Sequence, residues 1–287
     1  MDETVDVLVV GGGPAGLSAA IGLARFGKVV EVVDAGEPRN GPAAGVHNLL
    51  GHDGISPFEL LRRGGAELAS FGGRVVRDRA VDARAEGDGF VVTLASGGSR
   101  RARRLVVAAG GRDVLPEVEG LRERWGREVL HCPFCHGWEV RGQRIGVVAT
   151  DPDVAAHQAA LFRELSDDVV VLPVADVAAV VIEDDVLTGV RLVDGRVVAR
   201  DALVVMPTVV VDSPVLDALG VPQSDDLRTG YVHDALGATP VPGVWVAGNV
   251  GEPFATVVMA AAAGMTVAGA VMADVVAERA RGVAVPA

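Results

Sequence analysis

The chain has 287 residues, a formal net charge of −12 and two cysteines. This length suits one large or two ordinary domains, and an apolar fraction of 49% supplies a sizeable core, which excludes a disordered chain. The acidic excess argues against nucleic acid or an anionic membrane as the main partner. Two cysteines cannot form the disulfide framework of a small secreted scaffold.

The N-terminus and one apolar segment bear on where the protein resides. Met1-Asp2-Glu3 is acidic where a secretory signal needs positive charge, which predicts a cytoplasmic protein. The stretch Pro253–Ala273 carries no charged residue and is long enough to span a bilayer. Its small residues, Gly264 and Gly269 among them, are instead typical of a helix packed closely inside a protein, so we expect no membrane partner.

The first segment of the chain predicts a βαβ unit. Val5–Val10 is an apolar run typical of a strand buried on both faces, Pro14–Phe26 has an apolar helical stripe, and Val29–Val33 predicts a second strand. The turn at 11–16 fits G-x-G-x-x-G, and Asp34 follows about 20 residues later. Glycines admit a pyrophosphate at the helix N-terminus, and the acid can accept from a ribose hydroxyl. We therefore predict a dinucleotide site, without a choice between FAD and NAD.

A loop rich in Gly, Pro, Asn and His follows at residues 36–54 and is too long to be a simple connector. Its His47, Asn48 and His52 form a candidate wall of a substrate pocket. The capping box at Ser56–Glu59 then predicts a helix. Further strands are predicted at Arg74–Val76, Phe90–Leu94 and Leu105–Ala108.

The second half repeats the βαβ pattern. Strands are predicted at Arg144–Val148 and Val169–Leu172, with a helix between them at Val154–Leu165. A hairpin is predicted around Asp194-Gly195. Two nucleotide-type frameworks, the second inserted into the first, predict an α/β fold of two Rossmann-like, doubly wound domains.

Both cysteines lie in one C-x-x-C, Cys132-Pro133-Phe134-Cys135, a spacing that indicates redox or metal chemistry. It brings the sulfurs within bonding reach and lowers the pKa of one thiol, as disulfide exchange requires. A zinc site with His131 and His136 is the alternative. His136 directly follows the second cysteine, and an ordinary imidazole pKa of about 6.5 suits proton transfer at neutral pH.

The chain resembles the two-domain flavoprotein disulfide reductases, in particular the low-molecular-weight thioredoxin reductases. Leu105–Gly111 and Val244–Asn249 are similar to the two further cofactor segments of that family, and the C-x-x-C lies inside the second domain as it does there. The resemblance covers nearly the whole chain. It implies FAD as the cofactor, no metal, and a homodimer.

The resemblance also implies roles for individual residues. Cys132 would meet the substrate, Cys135 would lie against the flavin, and His136 would replace the usual acidic proton donor. Asn249 stands where the family has Asp, and Thr256 where it often has Gln. The implied FAD contacts are Gly11, Gly13, Pro14, Ala15, Gly16, Asp34, Arg39, Asn40, Val81, Gly110, Gly248, Asn249, Thr256 and Val257.

The predicted domain division follows the same resemblance. Residues 1–115 and 228–287 would form the FAD-binding domain, and residues 116–227 would form a central dithiol domain. The central framework is degenerate for NAD(P)H, because its first strand runs into Asp151-Pro152-Asp153. No glycine is present there for close approach, and two carboxylates stand where a pyrophosphate would sit.

Within this family, Cys132–Glu139, Asp34–Asn40 and the loop His47–Gly54 resemble the FAD-dependent dithiol oxidases, which include the gliotoxin- and holomycin-forming enzymes. That branch implies a small-molecule dithiol as substrate, with electrons passing through the cysteines and FAD to dioxygen and giving hydrogen peroxide. Two alternatives stay open. One is exchange with a thioredoxin-like protein, using a donor other than NADPH. The other is a non-catalytic flavin or redox-sensing module.

Overall fold

A computed structural model describes residues 4–226 and 229–282. Its strands, in chain order, are β1 (Val5–Val10), β2 (Val30–Asp34), β3 (Arg74–Arg77), β4 (Ala80–Glu86), β5 (Gly89–Leu94), β6 (Ser99–Val107), β7 (Arg112–Val114), β8 (Val129–Leu130), β9 (Ile145–Ala149), β10 (Val169–Pro173), β11 (Val177–Glu183), β12 (Val186–Leu192), β13 (Val197–Ala199), β14 (Ala202–Val205), β15 (Thr208–Val210) and β16 (Val244–Val246). Its helices are α1 (Pro14–Arg25), α2 (Pro57–Ser70), α3 (Pro133–His136), α4 (Pro152–Arg163), α5 (Pro214–Ala218) and α6 (Val257–Gly282).

The backbone divides into two compact units. The first unit comprises Met1–Arg39, Phe58–Arg112 and Val210–Ala287, and the second comprises Asn40–Pro57 and Asp113–Val209. The second unit therefore contains the C-x-x-C together with the long loop that precedes α2.

The structure moves two of the predicted domain boundaries. The central domain ends at Val209 rather than at residue 227, because Val215 and Leu216 of α5 are buried in the core of the first unit, where α5 packs on β4. Residues 40–57 belong to the second unit, because this loop contacts the segment around the cysteines. Gly126, for example, lies directly against Pro42.

The first unit is built on a sheet with the order β3-β2-β1-β6-β5-β4, and β16 also pairs with β6. β1, β2, β3, β6 and β16 are parallel, whereas β4, β5 and β6 form an antiparallel meander. Val7 and Val9 of β1 face a core shared with α1 and α6, while Leu8 and Val10 face a second core that includes α5. Burial on both faces explains why β1 is a continuous apolar run.

The second unit has three layers. Its central sheet is parallel, in the order β10-β9-β14-β8. Val147 faces α4, whose Phe162 is fully buried, and Val148 faces the opposite layer. That layer is the antiparallel sheet β11-β12-β13, which contains the predicted hairpin at Asp194-Gly195. The strand–helix–strand unit β9-α4-β10 thus forms where the sequence predicts it.

Two elements of the first unit differ from the sequence prediction. β4 is an edge strand that mixes small and charged residues and has little burial, so no apolar run in the sequence predicts it. The small-residue helix α6 begins at Val257 rather than near Pro253. The amide nitrogen of Asn249 donates hydrogen bonds to backbone carbonyls of the intervening residues, which form a turn instead of a helix.

Among the described residues, α6 has the length and apolarity of a membrane span over Val257–Arg281. Its small residues bring it close to α1. A Cβ on Gly264 would collide with the carbonyl oxygen of Ala15, and one on Gly22 would lie 3.0 Å from the Cβ of Ala268. The side of α6 that faces α1 therefore packs closely, as its composition predicts, whereas only 28% of the apolar stretch is buried and a Cβ on Gly269 would meet open space.

Candidate functional site

The turn after β1 holds glycines where a side chain would strike backbone. Gly11 has φ +100°, and a Cβ on it would collide with the carbonyl oxygen of Ala108. A Cβ on Gly16 would collide with the carbonyl oxygen of Gly11, so α1 starts directly against the turn. A Cβ on Gly13 would meet nothing within 4 Å. The turn is thus closed on the protein side and open on the side of Gly13.

The N-terminus of α1 offers free backbone donors at this open side. Pro14 occupies the first turn, and no side chain caps the helix. The first N–H groups of a helix have no partner within it, so those of Ala15 and Gly16 remain available to an anion. This arrangement is the one that binds a pyrophosphate.

Asp34 lies at the end of β2, beside the glycine turn. Its Oδ1 accepts a hydrogen bond of 2.9 Å from the backbone N–H of Gly12, and Nη1 of Arg77 lies 3.3 Å from its Oδ2. A cavity of about 290 Å³ opens here, lined in part by Asp34, Gly36, Val75 and Arg77. A cavity beside an acid at this strand end suits the adenosine half of a dinucleotide. Arg77 is a site residue that the sequence pattern does not single out.

The other two predicted cofactor segments converge on the same turn. β6 ends beside β1, and Gly110, which follows it with φ +82°, has open space at its Cβ position. β16 pairs with the other side of β6, and a Cβ on Gly248 would lie 2.7 Å from the Cβ of Ala15. The three segments therefore meet at the carboxyl edge of one parallel sheet, where open α/β sheets bind ligands.

Asn249 is oriented by three hydrogen bonds. Its Nδ2 donates to the carbonyl oxygens of Glu252, Pro253 and Ala255, at 3.1, 3.1 and 2.9 Å. Because all three use the nitrogen, the amide oxygen is the atom that remains to accept from a ribityl hydroxyl. Arg39 binds the same turn, because its Nη1 donates a hydrogen bond of 2.5 Å to the carbonyl oxygen of Pro253.

The remaining predicted contacts lie on separate elements, at the start of α6, on β4 and in the second unit. Thr256 and Val257 lie at the start of α6, where the Thr256 carbonyl accepts from Ala260. Val81 lies on β4 with 38% of its surface exposed. Asn40 belongs to the second unit, whereas the other predicted contacts belong to the first.

In the second unit, Cys132 and Cys135 form a disulfide with their Cα atoms 5.2 Å apart. Cys132 is the N-cap of the short helix α3, and its carbonyl oxygen accepts from the backbone N–H groups of Cys135 and His136. Gly137 follows, and a Cβ there would lie 2.5 Å from Cδ1 of Leu165. The helix that carries the cysteines is therefore seated tightly on the body of the unit.

His131 directly precedes Cys132 in the chain. Its ring stacks on Trp125 with centroids 5.5 Å apart, and its carbonyl oxygen accepts from Nε2 of the buried Gln158 at 3.0 Å. Among residues 4–226 and 229–282, no group of three or more His, Cys, Asp and Glu side chains is arranged to hold a metal ion.

His136 is half-buried next to the disulfide. Its Nε2 is buried and has no hydrogen-bond partner among the described residues. Burial, and secondarily the positive charge of His47, lower the pKa of His136 from 6.5, against an opposing effect of Glu139. A lowered pKa keeps the ring neutral, and hence able to accept a thiol proton, at neutral pH.

The loop 40–57 brings a second histidine to this place. The rings of His47 and His136 meet edge to face, with centroids 5.9 Å apart. Nδ1 of His47 lies 2.9 Å from Oδ1 of Asp53, and its Nε2 lies 3.6 Å from Oε1 of Glu139. The loop pattern singles out His47, but nothing in the sequence points to Asp53 or Glu139 as its partners.

The helix α4 begins where a nicotinamide dinucleotide would place its pyrophosphate in a complete second framework. Here Asp151 is the N-cap, and its Oδ1 accepts from the backbone N–H groups of Asp153 and Val154 at 2.9 and 3.0 Å. The donors that would bind an anion are therefore occupied by a carboxylate of the chain itself.

Residues 5–148, which make up half of the chain, match the family described as pyridine nucleotide-disulphide oxidoreductase. The chain belongs to this family. Among its relatives, thioredoxin reductase sirT from Leptosphaeria maculans is 27% identical over 302 residues, 91% of each chain. Thioredoxin reductase tcpT from Claviceps purpurea (strain 20.1) is 34% identical over 152 residues, 52% of this chain and 47% of tcpT. The crystal structure of HlmI is 39% identical, with a TM-score of 0.92, and covers 98% of this chain and 96% of that chain.

These comparisons confirm four predictions. The fold is that of the thioredoxin reductase-like flavoprotein disulfide reductases, and the chain falls in the branch indicated by Cys132–Glu139. The protein is an oxidoreductase of dithiol or disulfide substrates, and its cofactor is FAD.

The first unit fits FAD on its own geometry. The turn is open at Gly13, uncapped backbone donors lie at the start of α1, and Asp34 stands beside a cavity large enough for an adenosine. The amide oxygen of Asn249 remains to accept a hydrogen bond from a ribityl hydroxyl. The backbone of 11–16, Asp34, Gly110, Gly248 and Asn249 would hold the cofactor.

Proposed function

We propose that this protein is an FAD-dependent oxidase of small-molecule dithiols, which uses Cys132 and Cys135 as its redox pair, dioxygen as its acceptor and no NADPH. The overall reaction is dithiol plus dioxygen to disulfide plus hydrogen peroxide. Two electrons and two protons leave each dithiol.

One observation carries this proposal. Cys132 and Cys135 are joined in a disulfide on helix α3, so the redox pair is present. In contrast, the N-terminus of α4, where NADPH would bind, is capped by Asp151. A pyrophosphate there would have to displace the Asp151 carboxylate from two backbone donors and then approach Asp153 as well. Like charges at such a site repel, so the second framework supports the cysteines rather than a nicotinamide.

The chain's own residues account for the thiol chemistry. A substrate thiolate attacks the sulfur of Cys132, which breaks the bond to Cys135 and forms a mixed disulfide. The second thiol of the substrate then displaces Cys132, so the substrate leaves as a disulfide and both cysteines are reduced. His136 takes up a proton from a thiol, since its ring lies next to the cysteines and its pKa is lowered. When bound, FAD supplies the two-electron oxidation that restores the cysteine disulfide, with dioxygen as final acceptor.

The test is a spectral titration of the purified flavoprotein under anaerobic conditions, first with NADPH and then with dithiothreitol. We expect no bleaching of the flavin band with NADPH and full bleaching with the dithiol. Admission of air should restore the band, with one hydrogen peroxide formed for each dithiol oxidised, measured by a peroxidase assay. A Cys135→Ser variant is the control: it should keep its flavin and lose the dithiol response.

Other outcomes separate the competing functions. Rapid bleaching by NADPH would overturn the proposal. Reduction of a purified thioredoxin by the pre-reduced enzyme, with slow reoxidation in air, would favour exchange with a protein partner. A flavin that is reduced once by dithiol but does not turn over in air would favour a redox sensor.

The proposed enzyme is a cytoplasmic homodimer. Met259, Met265 and Val276 of α6 are half or more exposed, and apolar side chains of this kind support a subunit contact. Light scattering of the purified holoenzyme would give its mass in solution, and a mass of one chain would contradict the dimer.

A further inference from the structure

His136 lacks the hydrogen bond that usually orients a catalytic histidine. In most acid–base pairs a third group binds the second ring nitrogen and fixes the imidazole. Here Nε2 of His136 is buried without a partner among the described residues. The ring contact that the structure does provide is the edge of His47.

His47 is itself firmly held. Its Nδ1 lies 2.9 Å from Oδ1 of Asp53, and Glu139, three residues after His136, lies 3.6 Å from its Nε2. Only 21% of the His47 side chain is exposed, whereas Asp53 is largely in solvent. The His47 ring therefore lies between two carboxylates and contacts the ring of His136.

The loop that carries His47 is bridged internally and is bound to the segment of the cysteines. Val46 and Ile55 form an antiparallel bridge, in which the backbone N–H of Val46 donates to Ile55 at 2.8 Å. Asn48, in the left-handed region with φ +58°, donates its side-chain amide to the carbonyl oxygen of Phe134, between the two cysteines. Asn48, the residue after His47, thus binds the redox segment directly.

We propose that His47, fixed by Asp53, is the positioning residue for His136 in thiol oxidation. The role rests on the proposed dithiol-oxidase function. His47 holds the imidazole of His136 through ring packing, and its charge and that of Glu139 act on the basicity of His136 from opposite directions. Within residues 4–226 and 229–282, the charged groups that act on His136 are His47 and Glu139.

The electrostatic part gives the proposal a signature that a purely structural role lacks. The positive charge of His47 lowers the pKa of His136, and Glu139 raises it. Replacing His47 with Phe keeps an aromatic edge but removes the charge, so the pKa of His136 should rise. Replacing Glu139 with Gln should lower it.

The experiment is a pH titration of the histidine side chains by NMR in the oxidised holoenzyme, with His136 assigned by its loss in His136→Ala. We expect the His136 midpoint to move up in His47→Phe and down in Glu139→Gln. His157→Phe is the matched control, because His157 is an exposed residue of α4 and should leave the midpoint unchanged. A His136 midpoint that stays fixed in both His47→Phe and Glu139→Gln overturns the proposal.

A second measurement tests positioning. Anaerobic bleaching of the flavin by dithiothreitol should slow by about 10–100-fold in His47→Ala, the range for loss of a supporting group, and by less in His47→Phe. Wild-type bleaching in His47→Ala would contradict the positioning role. The NMR titration needs neither substrate nor dioxygen. The two proposals can therefore fail separately. If the protein did not oxidise dithiols in air but the His136 midpoint still shifted in the variants, the proposed function would be wrong. The pairing of His47 with His136 would still be supported.

Discussion

At the residue scale, the proposed role of His136 as proton acceptor predicts how the chemistry depends on pH. Its base form is the neutral ring, and burial followed by the charge of His47 lowers its pKa from 6.5. The neutral form therefore persists as pH falls, and activity is lost only when the pH passes below the lowered pKa. We predict that the acid limb of the rate of anaerobic flavin bleaching by dithiol has its midpoint below 6.5. Stopped-flow measurements from pH 5 to 8 check this, and a midpoint at or above 6.5 would contradict it.

Asn249 leads to a second prediction at this scale. An aspartate, the usual residue of the family at this position, cannot donate to the three carbonyls that Nδ2 of Asn249 binds and would place a negative charge against them. Leaving such groups unsatisfied costs about 1–3 kcal/mol, so Asn249→Asp should lower the melting temperature rather than improve flavin retention. Asn249→Ala removes the donors without adding charge and should destabilise less. A stable Asn249→Asp variant that holds FAD more tightly would refute this account.

At the scale of elements, the packing of α6 on α1 requires glycine at position 264. A Cβ on Gly264 would strike the carbonyl oxygen of Ala15, at the start of the helix that faces the cofactor, whereas Gly269 of the same helix has open space. Gly264→Ala should destabilise the fold by about 1–3 kcal/mol through overpacking and weaken flavin binding. Gly269→Ala should be neutral or stabilise by about 0.5–1 kcal/mol. Thermal melts and flavin content check the pair, and equal behaviour of the two variants would contradict it.

The elements that the sequence predicts well are those with local signals. The turn at 11–16, β1 and α1 follow from an apolar run, a glycine pattern and a helical stripe within a few residues of one another. The disulfide of Cys132 and Cys135 is equally local. β4 could not be predicted, because an exposed edge strand needs no apolar alternation.

Long-range parts of the site carry no such local signal. The meeting of His47 with His136 depends on how the loop 40–57 folds back, which is a tertiary contact with no periodicity in the sequence. The loop pattern marks His47 as noteworthy, while its partners Asp53 and Glu139 look like ordinary surface carboxylates. The pairing of Arg77 with Asp34 across adjacent strands is hidden in the same way.

At the scale of the whole molecule, the cofactor should contribute to stability. A ligand that binds only the folded state stabilises it by about 2.7 kcal/mol at roughly a hundredfold excess over its Kd. Removal of FAD should therefore lower the melting temperature by several degrees, and added FAD should restore it. FMN lacks the adenosine that the cavity beside Asp34 would take, so it should restore less. A melt that does not respond to FAD would contradict this assignment of the first unit.

The anchoring of loop 40–57 on the redox segment has a consequence for protein engineering. Two stretches distant in the sequence, 40–57 and 131–139, form one cassette through the contacts of Asn48 with Phe134 and of His47 with Glu139. A chimera that transplants only the C-x-x-C into a related reductase would leave behind the loop that clamps it. Exchange of substrate preference between members of this family should therefore require both stretches to be moved together.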